Sequence, residues 1–100
     1  MVDRTSVVEV ILETARGFNR ELESKIDVSR GEEAALFGAG GALDSLGLVS
    51  FITAVEQALD ERLGTIAILA DDRAFSQTRS PFISVATLAD YILGVTALGS

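Results

Sequence analysis

This sequence predicts a small all-α fold, a bundle of three main helices and one short helix, and three observations carry the expectation. Apolar residues return at steps of three and four in three separate stretches, the spacing that lines one face of a helix. A single proline stands among 100 residues, so long stretches are free to be helical. Only the segment 65–70 has the apolar, partly β-branched make-up of a strand, and no second candidate exists to pair with it, so a buried connector is expected there. With 48% hydrophobic but only 6% aromatic residues, the core must be aliphatic, and 100 residues suffice for one core and not two.

In the first helix, about 3–24, Val8, Ile11, Leu12, Ala15, Phe18 and Leu22 form the apolar stripe, with Glu9, Glu13, Arg16, Arg20 and Glu21 between them. Asp3, Thr5 and Ser6 are each able to cap its start. From about 27 to 43 the periodicity disappears, and Ser29, Gly31, Gly38, Gly40 and Gly41 predict a long loop, with a turn of helix around Glu32 to Leu36 and with Leu36 and Phe37 pinned to the core. The glycine cluster is not a phosphate-cradling loop, since no lysine follows, no strand precedes and the GxGxxG spacing is absent. Asp44 opens a second helix, about 45–63, which Gly64 ends. A short helix is expected at about 71–78, with Ala74 and Phe75 inward and Pro81 beyond it. Ser84 offers an N-cap to a last helix, about 84–95, carrying Val85, Leu88, Ala89, Ile92 and Val95 inward, and the tail from Gly94 onward is expected to fray.

Composition removes whole classes of chemistry. With no cysteine and no histidine the chain has no disulfide, no thiol nucleophile, no Ser-His or Cys-His couple and no zinc finger, so neither catalytic nor metal-ligating residues are assigned. The neighbouring acids Glu32-Glu33 and Asp71-Asp72 do not make converging carboxylate pairs, because adjacent helical residues point about 100° apart. Fifteen acids against eight bases give a net charge of −7, which repels nucleic acid and anionic lipid and favours basic protein partners. The excess is localised: residues 27–72 carry −7, while 1–26 carry −1 and 73–100 carry +1. No targeting segment is visible and the longest apolar run, Ile66 to Ala70, is far too short to span a bilayer, so a monomeric cytoplasmic protein without membrane insertion is expected.

The second helix carries the functional information. On a wheel of about 100° per residue, Leu48, Phe51, Ile52, Val55 and Leu59 gather into one stripe that must face the core. Leu46, Val49, Ser50, Thr53, Gln57 and Asp60 fall opposite, with Glu56 at the edge. Two aliphatic side chains thus stand beside Ser45 on a face the core does not need, a small apolar patch rimmed by polar groups.

The run Gly41-Ala42-Leu43-Asp44-Ser45-Leu46-Gly47-Leu48-Val49 resembles the Asp-Ser-Leu attachment motif of acyl carrier proteins. Ile83-Ser84-Val85-Ala86-Thr87-Leu88-Ala89-Asp90-Tyr91-Ile92 is similar to that family's closing helix, with Thr87 in place of its aspartate. The resemblance extends in layout over nearly the whole chain and is specific in these two stretches. It implies a four-helix bundle of acyl-carrier type that holds acyl groups as thioesters on a 4'-phosphopantetheine arm attached to Ser45. The arm is delivered from coenzyme A by a phosphopantetheinyl transferase, and acyl-activating and acyl-transferring enzymes of a fatty acid, polyketide or other specialised lipid pathway are the further partners. Asp44 and Leu46 flank the attachment point, and Leu46, Val49, Ser50, Thr53, Glu56 and Gln57 are the residues those enzymes would read. Many carriers of fatty acid synthesis have a glutamate and a leucine where this chain has Ser50 and Phe51, whereas Leu43-Asp44-Ser45 and Gly47 are similar to D-alanyl carriers, which implies a specialised or aminoacyl carrier as an alternative.

The position suits an anion on elementary grounds, because the first turn of a helix presents unpaired amides and the positive end of the dipole. The rival expectation is a helical protein-interaction module in which Leu46 and Val49 bind a partner and Ser45 belongs only to the helix cap.

Overall fold

The computed structural model describes residues 3–20, 25–37, 41–64, 69 and 82–99, the side chains of Ser45 and of residues 95–99 excepted. Among the described residues the chain forms three α-helices, α1 (Arg4–Phe18), α2 (Ser45–Leu63) and α3 (Val85–Gly99), with a short 3-10 helix at Val28–Glu33 in the connection between α1 and α2. There is no strand among them, only two isolated bridges, Ala35 with Ser84 and Phe37 with Leu43. The short helix expected at 71–78, with Ala74 and Phe75, lies outside the described residues.

Helix α1 packs against both α2 and α3, and the 3-10 helix rests on α1 and α3. Its N-cap is Asp3, whose carboxylate accepts the Ser6 N–H at 2.7 Å, which settles the choice among Asp3, Thr5 and Ser6. The helix stops at Phe18 and is shorter than the expected 3–24, for a reason visible in Asn19. That side chain accepts the Ile26 N–H at 2.8 Å and donates to the Ile26 carbonyl at 2.9 Å, a substitute for backbone pairing that turns the chain and returns Ile26 to the core.

The face of α1 turned inward also differs from the expected stripe. Val7, Val10, Ile11 and Ala15 are buried, while Val8, Leu12 and Phe18 are only partly so. Thr14 lies in the middle of the buried sector and donates its hydroxyl to the Val10 carbonyl at 2.8 Å, so a residue that reads as polar in sequence is satisfied within its own helix.

The connection from α1 to α2 is built by main-chain pairing. Its helical turns cover Val28–Glu33 instead of the expected 32–36, because Ala34 turns extended (φ −60°, ψ 127°) and pairs with the approach to α3. Val85 N–H donates to the Ala34 carbonyl at 3.0 Å, Leu36 N–H to the Ile83 carbonyl at 2.7 Å, and Leu43 N–H to the Leu36 carbonyl at 2.9 Å. Leu36 is fully buried and Phe37 packs partly buried against the core, as the sequence predicts. Arg4 adds an ionic tie, donating to Glu32 on the 3-10 helix and to Asp90 on α3, and both carboxylates, Asp90 foremost, push the guanidinium pKa further up.

Helix α2 occupies the expected residues and ends at Gly64, which takes the left-handed conformation (φ 63°, ψ 25°). Helix α3 starts at the predicted cap and runs to Gly99, beyond the expected end near residue 95. Ser84 and Thr87 cap it reciprocally: Ser84 Oγ accepts the Thr87 N–H at 3.2 Å and Thr87 Oγ1 accepts the Ser84 N–H at 3.0 Å. Thr87 thus does at the third helical position what a carboxylate-bearing residue does in a capping box.

The three helices close on one largely aliphatic cluster that includes Phe51, which is in edge-to-face contact with Phe18 at 5.3 Å. No polar or charged residue is buried among the described residues. The radius of gyration, 12.3 Å, is close to the ~13 Å of a compact chain of this length. None of the described helices is long and apolar enough to cross a membrane.

Candidate functional site at the start of the second helix

Asp44, Ser45 and Leu46 fall at the N-cap and first two helical positions of α2. Asp44, in extended conformation (φ −88°, ψ −177°), accepts the Gly47 N–H on its carboxylate at 2.7 Å, and its carbonyl takes the first intrahelical bond, from Leu48 N–H at 2.8 Å. Ordinary helix geometry leaves the Ser45 and Leu46 amides without intrahelical partners, so the first turn offers donors and a positive dipole end next to the serine backbone. The Ser45 side chain lies outside the described part of the structure. Gly47 keeps the cap close, since a Cβ there would stand 3.1 Å from Asp44 Oδ1.

Leu46 is 82% exposed and Val49 46%, while Leu48, Phe51, Ile52, Val55 and Leu59 are buried, so α2 divides into the two faces its sequence predicts. Ser50, Thr53, Gln57 and Asp60 are exposed on the outward side, and Thr53 donates its hydroxyl to the Val49 carbonyl at 3.0 Å. Glu56 is half-buried at the edge of this face, and its carboxylate is engaged within the chain: Oε2 accepts the Leu69 N–H at 2.6 Å and ties the connector after α2 back to the helix. Leu69 is fully buried; the rest of the connector expected at 65–70 lies outside the described residues.

Sequence reasoning did not give the placement of two residues that bear on the path into α2. Ile83 is 42% exposed, the third large apolar side chain turned to solvent among the described residues, and its carbonyl receives the Leu36 amide that leads to Leu43 and Asp44. Phe82 and Ile83 are equally apolar neighbours, and no periodicity before the cap says which turns inward; Phe82 does, at 1% exposure, against Tyr91. Gly41, read in sequence as loop flexibility, sits against the main chain of Leu36 and Phe37.

Four of the nine acids of the 27–72 stretch hold partners within the chain. Asp27 accepts from Ser29 and starts the 3-10 helix, Glu32 holds Arg4, Asp44 caps α2 and Glu56 holds Leu69. Among the described residues no three or more acids converge into a group that would hold a metal ion.

Comparisons of the chain with protein-family models, with curated proteins and with solved structures find no match.

Proposed function

We propose that the chain is a carrier protein of acyl-carrier type, holding acyl or aminoacyl groups on a 4'-phosphopantetheine arm at Ser45 and presenting them to partner enzymes. The observation that carries the proposal is the placement of Asp44-Ser45-Leu46 at the head of α2, with Asp44 capping and with Leu46 and Val49 exposed beside it. Two sequence resemblances, in 41–49 and 83–92, support the same reading.

The residues present fit such a group. Asp44 and Leu46, on either side of Ser45, both face solvent, so a tether at this position meets no covering side chain from its neighbours. The first-turn amides favour the charge of a phosphodiester. When attached, the arm supplies a thiol to a chain that has none of its own. Asp44 holds the helix start, and Leu46, Val49, Ser50, Thr53 and Gln57 form the surface on which enzymes dock weakly and in turn. Glu56 contributes at the edge while it holds Leu69. Tethering helps because each delivery becomes a local event at high effective concentration.

Incubation with a phosphopantetheinyl transferase and coenzyme A is expected to add one phosphopantetheine mass to the chain. Ser45→Ala is expected to remove the addition while leaving helicity intact. An unchanged intact mass of the native chain under these conditions overturns the proposal.

The exposure of Leu46 and Val49 favours a second reading, a helical interaction module whose partner covers those side chains. It predicts undiminished partner binding by Ser45→Ala and no thiol under any condition.

A further inference from the structure

We infer that Gly41 is a positioning residue for Ser45, an inference that rests on the carrier reading: the missing side chain at 41 lets the loop close on the Leu36–Phe37 backbone, and that closure fixes the first turn of α2. A Cβ at position 41 would lie 2.7 Å from the Phe37 nitrogen and 2.8 Å from the Leu36 carbonyl carbon and oxygen, all backbone atoms that cannot swing aside as a side chain does. The segment they belong to has nowhere to retreat. Leu36 N–H is bonded to the Ile83 carbonyl at 2.7 Å and Val85 N–H to the Ala34 carbonyl at 3.0 Å, which fastens 34–36 to the start of α3.

The same Leu36 carbonyl that a Cβ would crowd accepts the Leu43 N–H at 2.9 Å. Leu43 is 5% exposed and is followed directly by Asp44, the cap of α2, and by Ser45. A side chain at 41 therefore breaks the Leu36–Leu43 bond or lifts 34–36 from α3, and either change displaces the residues that set Asp44 and Ser45. Gly17 and Gly94 differ, since a Cβ at either meets nothing within 4 Å.

Loading joins the Ser45 oxygen to the phosphorus that carries the pantetheine half of coenzyme A and breaks that phosphorus's bond to 3',5'-ADP, the hydroxyl proton passing to a base of the transferase. Alignment of oxygen, phosphorus and leaving group makes the step sensitive to where the first turn stands.

The test compares the native chain, Gly41→Ala, Gly17→Ala and the core variant Val10→Ala by transferase kinetics and by amide hydrogen exchange at Leu43 and Gly47. A further protein replaces the Leu43 amide by an ester, which removes the one donor without adding bulk. Gly41→Ala is expected to retain helicity, to lose Leu43 and Gly47 protection and to load with kcat/KM at least about tenfold lower, the order of loss that misplacement costs an aligned reaction. The ester protein is expected to load as slowly as Gly41→Ala, whereas Gly17→Ala and Val10→Ala load at the native rate. Native protection in Gly41→Ala, native loading of Gly41→Ala despite lost protection, or native loading of the ester protein overturns the inference. If Gly41→Ala fails to fold, native loading of the ester protein does the same. Failure of the unaltered chain to load overturns the carrier reading and the loading half of the inference, while the exchange data still decide whether Gly41 sets the α2 start.

Discussion

Asp3 and Asp44 perform the same task at the heads of two helices, each accepting an amide hydrogen three residues on at 2.7 Å. For Asp3 the bond has a titration consequence: the Ser6 amide, with the Ser6 hydroxyl second, holds its carboxyl below the ordinary 3.8. A carboxyl depressed in the folded state contributes stability that is present above its unfolded pKa and lost as pH falls through the folded value. Asp3→Asn, which keeps an acceptor but does not titrate, is therefore expected to give a shallower loss of stability below about pH 4 than the native chain, measured by thermal melts across the acid range. Identical acid limbs would show that the cap bond does not favour the charged form. Asp44 was legible from sequence because a capping residue stands directly before an apolar repeat. Asp3 was one of three capable residues, and only the path of the chain into α1 chose it.

At the scale of elements, α2 was fully legible and α1 was not. Helix α2 shows one apolar stripe to the core, so its boundary, inward face and terminal glycine follow from local pattern. Helix α1 is clasped by two helices, and its buried sector is turned by roughly 50° from the stripe inferred at about 100° per residue, toward Val7, Val10 and the back-bonded Thr14. After α2, Glu56 receives the amide of the buried Leu69. Removing the acceptor leaves a donor unpaired in an apolar setting, so Glu56→Ala is expected to cost about 1–3 kcal/mol and to speed amide exchange at Leu69. Glu56→Gln, with an amide oxygen in the same place, is expected to restore most of both. Equal losses in the two variants would remove the hydrogen bond as the cause.

Stability of the whole molecule comes from the aliphatic cluster and its Phe51–Phe18 contact far more than from the charges on its surface. Phe51→Ala is expected to cost about 3–5 kcal/mol, a large part of what a domain of this size has to lose. Arg4→Met removes the ties to Glu32 and Asp90, yet those partners are solvent-exposed and salt-screened, so the urea midpoint is expected to move little and to lose its salt dependence. A larger midpoint shift for Arg4→Met than for Phe51→Ala would reverse this ordering.

What the sequence by itself determined was the fold class, the start and end of α2, the division of that helix into a buried and an open face, and the caps Asp44, Ser84 and Gly64. Each of these depends on residues within a turn or two of one another, and periodicity and capping chemistry record such relations. Only the tertiary structure decided the roll of α1, the exposure of Ile83, the bond from Glu56 to Leu69 and the closure of Gly41 on Leu36. These depend on contacts between different segments of the chain, as of Leu36 with Ile83, and no local periodicity or cap encodes which segment a residue will meet.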